Sequence, residues 1–410
     1  MTMHVLDRPG IARRVAKTFA PVAAVAAVLA GLTAFALPVG ATTNLPSTTY
    51  TVSTILSGKT LHHRYTKAGS SAEFSEALTK PDDITRVGGD LFTAFQNGVG
   101  PQGQASTDGN RDSTVVEFTL SGAVVHQWDI QGKCDGLTAN PATGLVVATV
   151  NQDANSSLYT INPFIGQIVH YRYNKPLPHN GGTDAISFYR GLMLISASAP
   201  GIIGAPAPQP YYPAVYVVTL NKFKRVAYVR ALFFGESHAT AANGKHAGRP
   251  VKLALTDPDS NEVVPFVAPR FPGDLRPFVA PRFAGDFMLT SQGDKEQIYV
   301  HNAGIRHQHL WVLDLSQSVD DTAWATSFLG ALFATDHHGD TVDMIWGSFI
   351  PGTAFVAVTP CDADNAPAIC PAPGFPANYL GTLNMFTGQV TRVPEAGASF
   401  EPQGMIFVPF

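Results

Sequence analysis

Carboxylates recur in this chain immediately before short apolar segments. The segments include GLVVATV and AFVAVT, near-continuous apolar runs that suit strands buried on both faces. Oxygen ligands are what Ca²⁺ and Mg²⁺ prefer in proteins, so a set of converging carboxylates predicts a cation site. A single Asp in such a place also commonly accepts backbone N–H bonds at a turn. The residues that take this place are Asp83, Asp135, Asp184, Asp259, Asp343, Glu401 and Gln403.

Histidine supplies a second kind of chemistry, because imidazole is the usual transition-metal ligand and the usual general base near neutral pH. The chain has 13 histidines. Eight of them are predicted to lie in loops on the same face as the carboxylates: His179, His238, His246, His301, His307, His309, His337 and His338. Surface loops also collect histidine without a function, and none of these spacings is a signature by itself. The candidates for moving a proton are His338 and His179.

Two kinds of hairpin alternate along the chain and would position these side chains. Outer hairpins begin at Tyr50, Thr114, Leu158, Val215, His309 and Tyr379. Inner hairpins span Pro81–Asn97, Cys134–Asn151, Thr183–Ser198 and Asp343–Thr359, with a split one at Asp259 and Gly285 and a single strand from Pro402. Four strands per unit at regular spacing are typical of a β-propeller blade.

The two ends of the chain complete each other in this pattern. The N-terminus offers an outer hairpin without an inner one, and the C-terminus offers an inner strand without an outer hairpin. The sequence therefore predicts an all-β, six-bladed β-propeller closed by pairing of the N- and C-terminal strands, which would also remove exposed sheet edges. A seventh blade within residues 230–285 is the alternative. In either case the loops that enter the innermost strands lie on one face, around the mouth of the central channel.

Residues 265–288 interrupt the repeat with a tandem duplication. PFVAPRFPGDLR is followed directly by PFVAPRFAGDFM, twelve residues each. By register the duplication falls in the turn that joins the inner two strands of the fourth blade. Loop-closure entropy grows slowly with length, so we interpret it as a tolerated insertion. Residues 42–410 then form one propeller domain.

Residues 1–41 have the composition of an export signal. Four basic residues precede an Ala/Val/Leu-rich run, and Val39-Gly40-Ala41 offers small residues for cleavage. An uncleaved anchor is the alternative, and only then would the membrane be a partner. The sequence thus predicts a secreted or cell-envelope, extracytoplasmic protein, and a monomer.

Charge and cysteine content agree with this location. The whole chain has a formal net charge of −4, and no basic stripe could follow a phosphate backbone, so we expect no nucleic-acid partner. An exported protein would oxidise Cys361 and Cys370, which bracket a short loop, to a disulfide. The remaining Cys134 is predicted to be a buried free thiol, with a reactive or metal-binding thiol as the alternative.

The inner hairpins resemble those of NHL-repeat and senescence-marker/gluconolactonase-like propellers. The segments that carry the resemblance are CDGLTANPATGLVVATVN, PDDITRVGGDLFTAF and EPQGMIFVPF. The resemblance implies a divalent metal held in the channel mouth by Glu, Asn and Asp. Glu401 would stand for the Glu and Asp343 or Asp184 for the Asp, whereas no Asn begins an inner strand. The streptogramin-lyase propellers, similar in repeat, imply a mouth histidine acting with Mg²⁺.

These observations together predict a metal-dependent, lactonase- or lyase-like enzyme. A divalent cation (Ca²⁺, Mg²⁺ or Zn²⁺) bound by Asp184, Asp343, Glu401 and Asp135 would polarise a carbonyl oxygen, and a mouth histidine would move the proton. The alternative is a non-catalytic propeller that binds a small molecule, a glycan, or a protein of the cell envelope through the same face. An enzyme requires these side chains to converge on a pocket, whereas a binding module would spread them over a shallow face.

Overall fold

In a computed structural model the chain is described over residues 49–67, 69–178, 181–198, 212–267, 282–360, 378–398 and 400–410. The predicted export signal, His179, Cys361 and Cys370 lie outside these residues, as do residues 268–281 of the duplication. No helix in the described ranges is both long and apolar enough to cross a membrane.

The described chain is all-β, as the sequence predicts, and most of its strands form four-stranded antiparallel units. Units I–III follow one another in sequence. Unit I contains β4 Pro81–Val87, β5 Asp90–Phe95, β6 Asp112–Thr119 and β7 Val124–Gln131. Unit II contains β8 Cys134–Ala139, β9 Val146–Val150, β10 Ser157–Asn162 and β11 Gln167–Tyr173. Unit III contains β12 Gly182–Tyr189, β13 Leu192–Ser198, β14 Pro213–Asn221 and β15 Val226–Phe234. Units II and III form one eight-stranded sheet because β11 pairs with β15 in parallel.

Units IV–VI are less regular in sequence. Unit IV contains β18 Pro258–Val263, β19 Phe287–Ser291, β20 Glu296–His301 and β21 His309–Asp314, extended by β16 His238–Ala241 and β17 Pro250–Lys252. Unit V contains β22 Val319–Trp324, β25 Ala354–Val358, β26 Tyr379–Leu383 and β27 Val390–Arg392. Unit VI contains β29 Pro402–Pro409, β23 Gly330–Asp336, β24 Thr341–Trp346 and β1 Tyr50–Ser57, with β28 Glu395–Gly397 beside β1. A separate hairpin pairs β2 His62–Thr66 with β3 Glu73–Ala77.

The chain's two ends share a sheet but do not pair with each other. The C-terminal strand β29 pairs with β23, and the N-terminal strand β1 pairs with β24. The hairpin β23–β24 is inserted between the first two strands of unit V and completes unit VI. The sequence prediction of the ends meeting directly missed this inserted hairpin.

Three predicted hairpins are wrong for the same reason. The segments beginning at Tyr50 and His309 and the segment Asp343–Thr359 each contain two strands that belong to different sheets. After β1, the backbone N–H of Gly58 donates to the Asp340 carbonyl and the chain turns away from the sheet. The remaining predicted hairpins pair as expected.

The core lies between units rather than inside a single layer. Six clusters of buried apolar side chains separate neighbouring units, and they include a cluster between units I and VI. In that last cluster Phe95 and Phe118 pack with Phe333 and Val408. Because each sheet buries both faces in this way, its strands read as continuous apolar runs.

Candidate functional site

The first strands of all six units surround one polar cavity of about 2360 Å³. Each first strand contacts the next around it, and the contacts continue from β29 back to β4. The loops joining second to third strands form the rim, among them residues 98–102, 152–156 and 292–293. This agrees with the expectation that these loops and the starts of the first strands share a face.

Every first strand carries a pairing irregularity near its start, immediately after its first residue, or after the second in β12, which begins one residue earlier. The shift falls between Pro81 and Ile84 in β4 and recurs in the other five strands. Such bulges re-aim side chains, here into the cavity. The second residues of five strands and the third residue of β12 all line the cavity: Asp82, Asp135, Asp184, Asp259, Asp320 and Gln403.

Three of these carboxyls are joined by hydrogen bonds. Asp259 bonds to Asp184 on one side and to Asp320 on the other. Burial, and then the neighbouring carboxylates, raise the pKa of Asp184 and of Asp259 well above the ordinary value. Asp184 and Asp259 are thus coupled, and both bind a proton more readily than an ordinary aspartate does.

The six cavity-lining residues Asp82, Asp135, Asp184, Asp259, Asp320 and Gln403 form a ring, and Lys133 supplies positive charge to it. Its Nζ lies 2.7 Å from Asp135 Oδ1, which also accepts a bond of 3.1 Å from Gln96 Nε2. Burial lowers the pKa of Lys133, but the charges of Asp135 and Asp82 outweigh burial and the pKa lies above its ordinary value. Lys133 therefore remains charged. The buried Asp135 Oδ2 has no protein hydrogen-bond partner and lies in the lining.

A second layer of carboxyls fastens neighbouring first strands together. Asp83 accepts 2.7 Å bonds from the amides of Ile84 and Leu137, which ties β4 to β8. Asp321 likewise accepts from the Thr322 and Met405 amides at 2.7 and 2.6 Å, which ties β22 to β29. Burial raises the pKa of Asp321 to about 6. Asp83 therefore accepts backbone N–H bonds, which is the structural role considered above for a single Asp before a strand.

Of the histidines that the structure describes, three reach the cavity. His337 and His338 come from the β23–β24 turn, and His170 comes from β11. Burial, helped by Lys80 and Lys133, lowers the pKa of His337 to about 3, so it is neutral at physiological pH. His170 lies in the outermost strand of unit II, where its ring stacks on Tyr159 with the centroids 4.3 Å apart.

Several other predicted mouth histidines lie elsewhere. His301, His307 and His309 belong to the β20–β21 hairpin, whose turn is at the opposite end of the strands. His238 and His246 lie in β16 and in the short turn Gly244–His246, outside the cavity lining.

The predicted metal ligands are only partly brought together. Asp135 and Asp184 lie in the ring. Asp343 lies within β24, buried between Thr54 and Thr341, whose hydroxyls donate bonds of 2.6 and 2.7 Å to it. Glu401 lies outside the lining, and its Oε2 is 3.3 Å from His338 Nδ1. The expectation that Asp343 begins an innermost strand was wrong, because β24 is the third strand of unit VI.

The described side chains offer no ready cluster of metal ligands. In the described part of the chain no three His, Cys, Asp or Glu side chains are grouped so as to hold one. The ring carboxylates hydrogen-bond to one another and to Lys133, and these bonds occupy oxygens that a cation would need. The residues as they stand do not fit a preformed metal site, so no chemical step is derived through a metal.

Sequence reasoning missed Asp82, Asp320 and Asp321, although a signal for them exists. Pro81-Asp82-Asp83 and Val319-Asp320-Asp321 both place an Asp pair after a strand-initiating residue. Aligning these pairs would have identified β22 as a first strand. The third cysteine is as predicted: Cys134 is buried and free, and burial raises its pKa well above the ordinary value.

No protein-family model matches the sequence, and no curated protein matches it. Among solved structures, a periplasmic gluconolactonase of Pseudomonas aeruginosa is similar at 11% identity, covering 88% of this chain and 99% of that chain, with a TM-score of 0.39. A Lactobacillus plantarum protein is similar at 10% identity, with coverages of 88% and 99% and a TM-score of 0.41. A putative 6-phosphogluconolactonase of Bacteroides uniformis is similar at 9% identity, with coverages of 88% and 100% and a TM-score of 0.39.

These similarities are too weak to carry an argument about activity or about individual residues. The resemblance to β-propellers is one of fold, and it rests on the strand order: antiparallel four-stranded units whose first strands face a common cavity.

Proposed function

We propose that this protein is a hydrolase of small polyhydroxylated lactones or related esters, and that Asp184, Asp259 and Asp320 are its acid–base residues. The observation that carries the proposal is the pair of hydrogen bonds that join Asp259 to the carboxyls of Asp184 and Asp320 inside the cavity, with the pKa of both Asp184 and Asp259 raised. Carboxyls this close cannot all ionise, which keeps an acid and a base side by side near neutral pH.

We also propose that the six units are the blades of a closed six-bladed propeller. Three observations support closure: the continuous contacts among first strands, the apolar cluster between units I and VI, and side-chain bonds at the junctions. At the junction of units VI and I, Thr335 donates to the Asp82 carbonyl. At the junction of units II and III, Thr149 donates to the Asp184 carbonyl at 2.6 Å.

The chemistry follows from the protonation states. Asp184 or Asp320, as carboxylate, takes a proton from a water molecule whose oxygen attacks the lactone carbonyl carbon. The ring C–O bond then breaks, and Asp259 gives its proton to the departing alkoxide oxygen. The proton gained by the base returns to Asp259 and resets the site. The charge of Lys133 stabilises the negative oxygen that develops during attack.

The substrate class follows from the lining. The ring residues present carboxylate and amide oxygens, which accept hydrogen bonds from hydroxyl groups. The volume of about 2360 Å³ exceeds what one sugar-sized ring needs, so a longer glycan-derived substrate also fits. The surplus of carboxylates disfavours anionic substrates.

The divalent cation stays a prediction, as do export and the extracytoplasmic location. If a cation binds, Asp135 and Asp184 are the predicted ligands that lie in the cavity. A role for His338 or His179 in moving the proton also stays a prediction.

The test is a screen of sugar lactones and aryl esters with the full chain and with Asp259→Asn. We expect turnover by the parent and at least a hundredfold loss of kcat in Asp259→Asn, with KM changed less than threefold. Asp108→Asn is the matched control, because Asp108 is exposed and lies outside the lining. Each assay is repeated with a chelator.

Two outcomes would contradict the proposal. Equal loss in Asp108→Asn and Asp259→Asn would show that the effect is not specific to the ring. No turnover of any lactone or ester, together with binding of a glycan that Asp259→Asn weakens, would assign the cavity to a non-catalytic binding propeller. A third result, loss of turnover only when the chelator is present, would mean that a bound cation polarises the substrate carbonyl.

A further inference from the structure

The end of the molecule opposite the cavity mouth carries nearly all of its exposed large apolar side chains. Strands alternate in direction, so the turns joining first to second and third to fourth strands lie at this end. With the connecting segments 325–329 and 347–353, we call these turns the distal face. Of the sixteen such side chains exposed in the described residues, all but Tyr228, Phe234 and Phe410 lie in the distal face or within two residues of it.

The apolar side chains stand at the tips of turns. Phe223, between β14 and β15, is fully exposed, and Phe164 and Ile165, between β10 and β11, are 74% and 70% exposed. Leu329 and Phe266 are 69% and 76% exposed. Single exposed apolar residues are normal on a soluble protein, but their confinement to one end of the strands is not explained by chance exposure.

Some of these turns are also basic. Phe223 is flanked by Lys222, Lys224 and Arg225, and all four residues are exposed. Arg306 follows the exposed Ile305 in the β20–β21 turn. The described carboxylate within these turns is Asp286, which is buried and bonded to His301 at 2.8 Å. The distal face is thus positive although the whole chain is negative, with a net charge of −4.

We propose that the distal face docks onto an anionic lipid surface, with Phe223, Phe164 and Ile165 entering the acyl boundary and the cations meeting lipid phosphates. Apolar tips among Lys and Arg match the layered chemistry of a membrane interface, apolar beneath and negative above. The charge pattern does not fit a second copy of this face, since like charges would oppose one another. Docking in this way leaves the cavity mouth directed toward the aqueous side.

The test places a fluorescent reporter at each end of the full chain. Phe223→Trp puts a tryptophan on the distal face, and Phe234→Trp puts one at the mouth end, on the same hairpin. Vesicles of phosphatidylglycerol and phosphatidylcholine, with and without brominated acyl chains, are added to each. We expect at least a twofold increase in quenching of Phe223→Trp over the parent chain and none for Phe234→Trp.

This readout separates the distal face from the N-terminal apolar segment. If residues 22–37 alone held the chain at the bilayer, both tryptophans would behave alike, and the proposal would fail. A double variant, Lys222→Glu with Lys224→Glu, tests the role of charge. It should weaken binding to the anionic vesicles at least tenfold and leave any binding to pure phosphatidylcholine unchanged. Melting curves verify that each variant is folded.

If the distal face binds a second copy of this chain instead of lipid, the measurements would differ. If no tryptophan is quenched and Phe223→Ser converts an oligomer to a monomer in sedimentation velocity, the face is an interface between copies of this chain. That result would overturn the lipid proposal.

Discussion

At the scale of single residues, the ring of carboxyls shows a conflict between stability and placement. Asp82, Asp135, Asp184, Asp259 and Asp320 are brought together although each raises the cost of ionising the others. Unfavourable burial of this kind, facing a cavity, is common at functional sites. Asp83 and Asp321 differ, because their oxygens are used by backbone amides.

Asp259→Asn should therefore stabilise the fold while removing activity. The amide remains a hydrogen-bond donor between Asp184 and Asp320 but cannot ionise. We expect the free energy of unfolding at pH 8 to rise by about 1–2 kcal/mol, and the gain to shrink near pH 4.5, where Asp259 of the unfolded parent chain also begins to bind a proton. Urea denaturation at both pH values measures this, and a loss of stability at pH 8 would contradict the argument.

His338→Ala tests the proton-moving role predicted for this residue. His338 lies at the rim beside Glu401, with 62% of its side chain exposed. We expect kcat to fall about a hundredfold, at the lower end of the range for a lost proton-transfer group, and added imidazole to restore it. His246→Ala, far from the lining, is the control. A loss that imidazole does not restore would indicate a structural effect instead.

At the scale of elements, the first strands approach one another closely at their third residues, counted in β12 from Thr183. Gly136 in β8 and Gly404 in β29 occupy this place, where a Cβ would come within 2.3 Å of the Asp184 carbonyl oxygen and 2.5 Å of that of Asp82. Glycine is needed at these two positions because of the close contact and not because of backbone conformation, since neither glycine has a positive φ. The other third residues are Asp83, Ala185, Ser260 and Asp321.

Gly136→Ala should separate β8 from β12 and loosen the ring. We expect a loss of about 1–3 kcal/mol in the free energy of unfolding, because the neighbouring atoms are backbone and cannot rotate away. Gly89→Ala is the matched control, since a Cβ there meets nothing within 4 Å. Thermal melts of the two variants measure the difference, and equal melting temperatures would mean that the strands are further apart than described.

At the scale of the whole molecule, stability should fall as the pH rises, contrary to ordinary acid denaturation. The pKa is raised to about 6 for Asp321 and about 7 for Glu296, above ordinary values of 3.8 and 4.5, and it is raised at the ring carboxyls also. Between the unfolded and folded values the folded chain binds more protons, so the free energy of unfolding decreases with pH.

His337 acts in the opposite direction. Its pKa falls from 6.5 to about 3 on folding, so below pH 6.5 the unfolded chain binds the extra proton and is favoured. The raised pKa values of several carboxyls act against the lowered pKa of this one imidazole in setting how stability changes with pH. We expect a higher melting temperature at pH 5.5 than at pH 8.5, measured in chelator because a bound cation would stabilise the ionised carboxyls. A higher melting temperature at pH 8.5 would contradict these shifts.

The sequence by itself determined the all-β class, the hairpins with local Gly turns and the presence of Asp135, Asp184 and Asp259 at the starts of first strands. These features depend on local patterns, since a tight turn between two apolar runs pairs neighbours whatever surrounds them. Tertiary structure decided which sheet receives each strand. Local sequence patterns predict the hairpin β23–β24 equally well in unit V and in unit VI. Only its packing against β29 and β1 assigns it to unit VI. That assignment removes Asp343 from the cavity, and the first-strand position of β22 brings Asp320 to Asp259.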